Sequence, residues 1–528
     1  MKIRYILLLI ITVLGVSSCY DDKGNYSYDP KNDIKITFDA SYFEAILGEK
    51  IKLTPRLTFA IDSNDVDLSY KWTFLGKEIS DQRNLEWVVD TVTSNHNVYL
   101  NVTDNRTGVT FSGGISAMLS SAYAKEAWVV LAKQNGKSVL SYIRETQEDD
   151  GSEYGKFTYT DIPDIYQLVN GEELGTEPVR VLEHFAARGG IGHFWVLQNG
   201  GQGCVDLSGE DFTKDILLND IFLDGNLPVD FKPIDMIDMK WLTCVVNHDG
   251  KVYTRKKLTN QLYNSGYFID RPLEFENEEV DGSRMVLAPF SDLNYTVMYD
   301  KVHNRFLAIA DLKKETAGKV VKFTVDESGY APYFARLDNL GNMEVLHTGY
   351  YEVKEGESGD QGYYSILRDR TTGNYYTHDF RVNAMSESSN PSAFPVLQCQ
   401  IDLNQVINGT SKNVFNVLRS WVYGDDFGTP YVLISKDNEL WLYDRDAKMP
   451  VEKYYEFPQG QIITAIDSES VGSRRVAIGM QSGEFYVLDL TRKAVNGQKE
   501  KLIYASTHNF GEIVHIRYKV CSGNGWGY

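Results

Sequence analysis

The segment AWVVLAKQNGKSVLSYI, residues 127–143, consists of two apolar runs joined by the dipeptide Asn135-Gly136. Asparagine and glycine accept the positive φ angles that a tight two-residue turn between antiparallel strands requires. The segment therefore predicts a β-hairpin with strands at Ala127–Ala132 and Ser138–Ile143. The same pattern recurs towards the C-terminus, so this hairpin indicates the structural unit of most of the chain.

Six further hairpins follow the first one. Their predicted strands are 194–198 and 203–207, 242–246 and 251–254, 295–300 and 305–310, 363–369 and 375–380, 431–435 and 440–443, and 476–481 and 485–490. Successive turns lie 45 to 69 residues apart, and a four-stranded propeller blade takes about 40–50 residues. The spacing predicts a seven-bladed β-propeller-like domain over residues 121–528, in which each hairpin gains two further strands.

The final apolar run, Ile513–Lys519, has no hairpin partner of its own. We expect it to pair with the first hairpin and close the ring, because closure removes the exposed strand edges that promote aggregation. A large β-sandwich and a right-handed β-helix are the alternative architectures for this region. The rungs of a β-helix are shorter and more regular than the spacing in this sequence, which favours the propeller.

Residues 30–120 have the pattern of a separate β-sandwich. The chain contains 34 tyrosines and 24 phenylalanines but only 14 prolines, and helical periodicity is scarce, so the predicted fold class is all-β. The predicted strands of the sandwich are Ile34–Phe38, Lys50–Thr54, Tyr70–Phe74, Leu85–Val89, Val98–Thr103 and Thr110–Ile115. Along Tyr70–Phe74 the three aromatic side chains share one face of the strand, which predicts a core stripe.

The N-terminus has the features of a secretory signal peptide. Lys2 and Arg4 precede an apolar run of about a dozen residues, which is too short to span a membrane, and small residues then lead to Cys19. A cysteine at the first mature position can carry acyl chains that anchor a protein durably to a membrane. We therefore predict a signal peptide at 1–18, lipidation of Cys19 and an acidic tether at 19–29.

Acidic residues directly after Cys19 extend this prediction. Asp21 and Asp22 resemble a signal that exports lipoproteins to the outer face of the outer membrane in some Gram-negative bacteria. The expected localisation is therefore the outer membrane, through a lipid anchor, facing the cell exterior. Loss of Lys2 and Arg4 with the signal peptide changes the formal net charge from −20 to about −22. A chain this acidic, without a basic patch, excludes nucleic acid as a partner.

The sequence lacks the common catalytic motifs. It has no zinc-binding His-Glu-x-x-His pattern, no Gly-x-Ser-x-Gly nucleophile turn, no phosphate-binding glycine loop and no calcium loop. Histidines in or near the predicted hairpins are His193, His248, His303 and His378. They lie at different offsets from their turns, which favours local hydrogen bonds over a shared metal site. No metal, cofactor or catalytic residue is therefore predicted.

Acidic pairs and cysteines are interpreted as structural features. Asp149-Asp150, Asp425-Asp426 and Glu274–Glu279 are predicted to be solvated loops, although two carboxylates at a suitable separation would serve a glycoside hydrolase. The cysteines after the lipidation site are Cys204, Cys244, Cys399 and Cys521. They have no metal-binding spacing and are interpreted as small core residues, with one or two disulfides left open.

Aromatic side chains are the candidates for ligand or partner binding, because tyrosine and tryptophan offer a large contact area at a low entropic cost. The candidates are Tyr350, Tyr351, Tyr363, Tyr364 and Trp526. The first four lie at the two ends of Gly349–Tyr364, which is predicted to be a mobile binding or docking loop. Neighbouring residues of a strand point to opposite faces, so one ring of each pair is expected in the core and the other is a candidate for exposure, although a core position is the favoured interpretation of each single tyrosine. In addition, Asp90-Thr91-Val92 resembles an O-glycosylation sequon of exported bacterial proteins, which makes Thr91 a candidate glycosylation site.

Several of these segments together resemble the PKD-like lipoproteins of Gram-negative bacteria. They are the leader CYDDKGNY at 19–26, the strands YKWTF at 70–74 and VYLNVTD at 98–104, and the first hairpin strand AWVVL at 127–131. The glycine-aspartate turn that usually follows the aromatic strand in PKD-type domains is replaced here by Leu75-Gly76-Lys77. Over residues 121–528 the resemblance rests on the pattern of apolar strands and tight turns more than on specific sequence motifs.

The resemblance implies a function. Lipoproteins of this family are typically encoded beside starch-utilisation-type uptake systems, in which a TonB-dependent outer-membrane barrel is capped by a substrate-binding lipoprotein. It therefore implies a non-enzymatic accessory lipoprotein that contacts the barrel and its substrate-binding lipoprotein and captures oligopeptides or oligosaccharides. The alternatives are an extracellular propeller enzyme, either a glycoside hydrolase or a lyase, and a structural or adhesive surface protein.

Overall fold

Two compact units make up the chain, one up to Leu119 and one from Ser120 onwards. The computed structural model describes residues 32–61, 66–148, 156–185, 192–257, 266–286, 294–325, 334–353, 359, 361–383, 386, 389–418, 431–446, 450–469 and 474–520. Within these ranges no helix has the length and apolar character needed to cross a membrane. The all-β prediction is confirmed.

Three sheets form the first unit. Its strands are β1 (Ile34–Thr37), β2 (Tyr42–Ile46), β3 (Lys50–Leu53), β4 (Arg56–Phe59), β5 (Leu68–Phe74), β6 (Lys77–Ser80), β7 (Leu85–Val88), β8 (Thr93–Asp104) and β9 (Val109–Ser120). They form a five-stranded sheet in the order β2-β9-β8-β5-β6 and two pairs, β1-β4 and β3-β7. All six predicted strands are present. β2, β4 and β6 are additional, and their four or five residues were too few to give a clear alternation.

The predicted aromatic stripe on β5 belongs to the core of this unit. Trp72 is fully buried and Phe74 is buried, whereas Tyr70 is half-buried. Trp72 lies opposite Leu100 of β8, and both side chains contribute to one apolar cluster. The indole nitrogen of Trp72 donates a hydrogen bond to the carbonyl of Gln82 at 2.9 Å. Burial of the large ring therefore leaves its polar N–H satisfied.

The second unit contains the remaining elements. Its strands are β10 (Ala127–Gln134), β11 (Lys137–Glu148), β12 (Lys156–Ile162), β13 (Thr176–Phe185), β14 (Gly192–Gly200), β15 (Val205–Ser208), β16 (Lys214–Leu217), β17 (Pro233–Asp238), β18 (Leu242–Asn247), β19 (Val252–Lys256), β20 (Glu274–Phe275), β21 (Glu278–Glu279), β22 (Arg284–Val286), β23 (Tyr295–Asp300), β24 (Arg305–Ala310), β25 (Val320–Val321), β26 (Thr324–Val325), β27 (Met343–Tyr351), β28 (Gln361–Asp369), β29 (Tyr375–Asn383), β30 (Ser392–Ile401), β31 (Phe415–Val417), β32 (Tyr431–Lys436), β33 (Glu439–Asp444), β34 (Glu452–Glu456), β35 (Ile463–Ser468), β36 (Arg475–Met480), β37 (Phe485–Asp489), β38 (Leu502–Ala505) and β39 (Glu512–Lys519). Short helices are α1 (Ile165–Asn170), α2 (Asn404–Ile407) and α3 (Arg492–Val495).

Within the described residues, these strands form seven sheets of three to five strands and the separate pair β20-β21. In chain order the seven are β39-β10-β11-β12, β13-β14-β15-β16, β17-β18-β19, β22-β23-β24-β25, β27-β28-β29-β30 with β26, β31-β32-β33-β34 and β35-β36-β37-β38. We number them sheet 1 to sheet 7. Each predicted hairpin supplies the second and third strands of one sheet, so all seven hairpins are confirmed.

Strand β39 joins the two ends of the second unit. It pairs antiparallel with β10, from Ala127 opposite Lys519 to Lys133 opposite Glu512. The predicted pairing of the final apolar run with the first hairpin is therefore confirmed. Ile513, Ile516 and Tyr518 of β39 are buried in a cluster that also contains Trp128 of sheet 1 and side chains of sheet 7.

Candidate functional site

A cavity of about 540 Å³ lies among seven edge strands, one from each of the seven sheets. The strands that contribute to its wall are β39, β13, β17, β22, β27, β31 and β35. In sheets 2 to 7 this edge strand directly precedes the predicted hairpin in the chain. In sheet 1 the corresponding edge strand is β39. We call this space the central cavity. The sequence placed the hairpins, but the residues that line the cavity come from the strands beside them.

Charged side chains in the wall of the central cavity are paired across neighbouring sheets. Arg180 of sheet 2 donates to Asp235 of sheet 3 at 2.7 Å. Burial raises the pKa of Asp235, and the guanidinium of Arg180 opposes that effect. Arg517 of β39 lies 3.8 Å from Glu183 and 3.9 Å from Asp467. These contacts tie adjacent edge strands together and balance charge inside the cavity.

A buried network of polar side chains adjoins the central cavity between sheets 2 and 3. His184 Nε2 lies 3.1 Å from Asp206 Oδ1, and His184 Nδ1 lies 3.4 Å from Asp238 Oδ2. His193 Nδ1 lies 3.3 Å from the second oxygen of Asp206. Lys257 lies 2.5 Å from Asp238 and is itself fully buried. The network is thus built from two carboxylates, two imidazoles and one ammonium group.

Electrostatics in this network follow from burial and pairing. Burial lowers the pKa of His184, but the carboxylates of Asp206 and Asp238 outweigh it and raise that pKa to about 9. Burial raises the pKa of Asp238, but Lys257 and His184 outweigh it and hold that pKa far below its usual value. The two carboxylates are therefore ionised, and each is stabilised by a cationic neighbour.

A second cavity of about 1020 Å³ adjoins the central cavity. The two share the wall residues His347, Val414, Phe415 and Thr464. We call the second cavity the mouth pocket. Its cationic lining residues are Arg284, Lys301 and Lys412, and its described lining contains no aspartate or glutamate.

Within the described part of the chain the three cations of the mouth pocket form no ion pair, although the carboxylates of Glu344 and Asp281 act electrostatically on Arg284. Arg284 donates to the carbonyl of Leu346, and burial lowers the pKa of its guanidinium. Lys301 and Lys412 are exposed at the rim. In a chain with a formal net charge of −20, this pocket is a local positive site suited to anionic groups.

Three of the four candidate tyrosines at the ends of Gly349–Tyr364 belong to the core, so a surface-binding role is wrong for them. Tyr351, Tyr363 and Tyr364 are all buried, at 7%, 1% and 2% exposure, so they do not offer their rings to a ligand at the surface. The segments at both ends of Gly349–Tyr364 belong to β27 and β28 and pair with each other, with Tyr350 opposite Tyr363. Tyr350 lines the central cavity, and its binding role stays a prediction.

The buried tyrosines have structural contacts instead. Tyr351 donates from its hydroxyl to Asp379 at 2.7 Å, and the guanidinium of Arg445 lies 4.1 Å from the centre of its ring. The same guanidinium lies 5.3 Å from the ring centre of Tyr364. Neighbouring strand residues point to opposite faces, but both faces of β28 are covered, so alternation in the sequence did not separate core from surface here.

Other predicted site residues have different outcomes. Cys19, Asp21, Asp22 and Trp526 lie outside the described residues, as do Asp149-Asp150, Asp425-Asp426 and Cys521. Thr91 is partly exposed between β7 and β8, and its glycosylation stays a prediction. Glu274–Glu279 forms the hairpin β20-β21 with exposed glutamates. Cys204, Cys244 and Cys399 are free thiols.

Of the other predicted histidines, His303 makes the expected contact close to its own turn, whereas His248 and His378 contact residues 18 and 43 positions away in the chain. His248 contacts Asp230 at 2.9 Å, His303 contacts Asp300 at 2.8 Å, and His378 donates to the carbonyl of Ala335 at 2.9 Å. His193 differs, because it joins His184 and Asp206. His184 was not among the predicted site residues because it lies in β13, before the hairpin of β14 and β15. The alternating segment there was the signal that would have predicted a strand paired with that hairpin.

The comparisons with known proteins concern the first part of the chain most directly. Residues 19–178 match the PKD-like family. This PKD-like match includes the described strands of the first unit and extends beyond residue 120, through β10, β11 and β12 and into β13. It supports the resemblance seen in the leader, the sandwich and the first hairpin. A search of curated proteins gives no match for the chain.

Solved structures match the chain at low TM-scores. A quinonprotein alcohol dehydrogenase-like protein from Bacteroides thetaiotaomicron has a TM-score of 0.38 at 12% identity, with 91% of this chain and 97% of that chain covered. AztD from Citrobacter koseri has a TM-score of 0.34 at 13% identity, with coverages of 88% and 100%. The β-propeller domain of Cps50 (Swd1) from Myceliophteria thermophila has a TM-score of 0.28 at 12% identity, with coverages of 53% and 75%.

Proposed function

We propose that this protein is a surface lipoprotein of the outer membrane, anchored through Cys19, that binds ligands without converting them. Its seven sheets are the blades of a closed β-propeller, and the ligand enters the central cavity through the mouth pocket. It acts as an accessory to a TonB-dependent importer and its substrate-binding lipoprotein. The observation that carries the binding role is the cavity to which every one of the seven sheets contributes one edge strand.

Two features support the closed propeller. The same edge strand of each sheet faces the central cavity, which is the arrangement expected for blades around an axis. In addition, β39 completes sheet 1 by pairing with β10. A sheet built from the first and last strands of the second unit ties its two ends together, as a closed ring of blades requires.

The mouth pocket supports recognition of carboxylate-bearing oligomers. Its cations Arg284, Lys301 and Lys412 face a space without a described carboxylate, whereas the charges of the central cavity are already paired. An anionic oligopeptide or oligosaccharide would gain charge-assisted hydrogen bonds there at little cost to existing pairs. Paired carboxylates in the cavity also favour binding over hydrolysis, because a general acid and base must be available to the substrate.

Reversing the charge of the mouth pocket is expected to weaken binding of acidic ligands. The double variant Lys301→Glu and Lys412→Glu should lower affinity for trigalacturonate or an acidic tripeptide by at least about tenfold, because two attractive contacts become repulsive. Isothermal titration calorimetry at low and high salt measures the effect. The control carries Lys35→Glu and Lys156→Glu, two exposed positions outside the pocket.

Either of two results would contradict the proposal that the mouth pocket binds carboxylate-bearing ligands. One is equal loss in the pocket variant and the control, which would indicate a general charge effect. The other is equal binding of the acidic probes and of their neutral counterparts. The two acidic probes distinguish sugar carboxylates from peptide carboxylates.

Copurification tests the importer role. Tagged protein extracted from native membranes is expected to bring down a large β-barrel and a second lipoprotein, whereas Cys19→Ala should appear in the soluble fraction because it lacks acyl chains. The support for this role is the PKD-like match over residues 19–178 together with the cysteine after the signal peptide. Membrane retention of Cys19→Ala would refute the anchor, and recovery of the chain alone would refute the importer.

A further inference from the structure

We infer that His184, His193 and Asp206 bind one divalent transition-metal ion beside the central cavity, with zinc as the ion that fits best. The three residues lie on adjacent strands of sheet 2, namely β13, β14 and β15. His184 and His193 are direct partners across β13 and β14. One ligand atom from each of the three residues lies within 4.8 Å of the other two. The inference is independent of the ligand proposed for the mouth pocket.

The distances between the ligand atoms suit a single ion. His184 Nε2 lies 3.1 Å from one oxygen of Asp206, and His193 Nδ1 lies 3.3 Å from the other. In a tetrahedral zinc site with bonds of about 2.0–2.1 Å, neighbouring ligand atoms are about 3.3 Å apart. These two distances are close to that spacing, and the three ligand atoms all lie within 4.8 Å of one another, so small side-chain shifts would bring them around one ion.

The second nitrogen of His184 completes an arrangement that is common at metal sites. Its Nδ1 faces Asp238 Oδ2 at 3.4 Å, so that when a metal ion displaces the Nε2 proton, the Nδ1–H stays directed at this carboxylate and the Nε2 lone pair points towards Asp206 and His193. Metal-binding histidines usually donate their other N–H to a carboxylate in this way. Asp238 is fixed in turn by Lys257 at 2.5 Å and by the hydroxyl of Thr243 at 2.6 Å.

Burial and charge also point to a cation at this position. Exposed fractions of His184, His193 and Asp206 are 5%, 1% and 0%, so water does not solvate the carboxylate. Lys257 lies against Asp238, whereas Asp206 lies against the two imidazoles, and a bound cation would displace the Nε2 proton of His184 and replace it as the counter-charge of Asp206. Two imidazole nitrogens and one carboxylate select zinc, cobalt or nickel rather than calcium or magnesium, which prefer oxygen ligands.

Metal content of the purified mature chain tests the site. After chelator treatment, incubation with zinc and removal of the excess, wild-type protein should retain about one zinc per chain by plasma mass spectrometry. His193→Gln should retain less than about a fifth of this amount, because it removes one of three ligands. The control is His248→Gln, which changes an exposed histidine at a turn and should bind as wild type. Circular dichroism verifies the fold of each variant.

Cobalt supplies a measurement that needs no variant. Wild-type protein loaded with Co²⁺ should show visible absorption typical of tetrahedral nitrogen and oxygen ligands. Wild-type protein that retains less than about a tenth of an equivalent of zinc and shows no cobalt band would overturn the inference and identify the cluster as a metal-free hydrogen-bond network. Full retention of zinc by folded His193→Gln would also overturn it.

Discussion

A chain that ends at Gly511 is expected to lose the cooperative unfolding transition of the second unit. The truncation removes β39 and with it the antiparallel pairing to β10. It also removes Ile513, Ile516 and Tyr518, which are buried against both sheet 1 and sheet 7. Burial of three large side chains contributes about 5–9 kcal/mol, which is comparable with the whole stability of a typical domain at about 5–15 kcal/mol.

Differential scanning calorimetry measures this loss. The control is a chain that ends at Val520, which keeps all of β39 and should unfold as the full-length protein does. The same control tests the binding role of Trp526, because it lacks that residue. If the chain that ends at Gly511 unfolds cooperatively at the same temperature as this control, β39 does not close the propeller and the ring proposal fails.

Arg475→Ala is expected to lower the free energy of unfolding by about 3–5 kcal/mol. Arg475 of sheet 7 lies 2.7 Å from Glu145 of sheet 1 and 2.7 Å from Glu469, and all three side chains are buried. Its guanidinium also lies 3.7 Å from the ring centre of Phe157. Loss of the cation leaves two buried carboxylates without their main partner, and that desolvated charge destabilises the fold.

Urea denaturation of the variant and of a matched control measures the effect. Arg271→Ala removes an exposed ion pair with Glu274, so its cost should be at most about 1 kcal/mol. Adding Glu145→Gln to Arg475→Ala should recover part of the loss, because it removes one of the unpaired charges. A cost of Arg475→Ala no larger than that of the control would show that the joint between sheets 1 and 7 does not depend on this cluster.

The fold was predictable from the sequence wherever local turn chemistry decided it. Asn135-Gly136 and its counterparts favour tight turns whatever surrounds them, and for that reason all seven hairpins were placed correctly. The edge strands that line the central cavity were not predicted individually. Several are only three to six residues long, such as β22 and β31, and a run this short carries little periodicity.

The candidate site was less predictable, and the tyrosines show why. Doubled tyrosines such as Tyr363-Tyr364 suggested one exposed ring, because alternate residues of a strand face opposite sides. The structure buries both rings, since sheets lie against both faces of β28. Whether the second face of a strand meets water or another sheet depends on packing between sheets, which is not encoded in the alternation of one strand.

The sequence by itself determined the turns, the all-β class and the predicted export signal, because each of these depends on residues close together in the chain. Tertiary structure alone decided the central cavity, the mouth pocket and the approach of His184 to Asp206. These two residues are separated by 22 positions, and Arg475 and Glu145 by 330. Residues so far apart in the chain come into contact only when strand register and the packing between sheets are fixed, and both depend on non-local interactions.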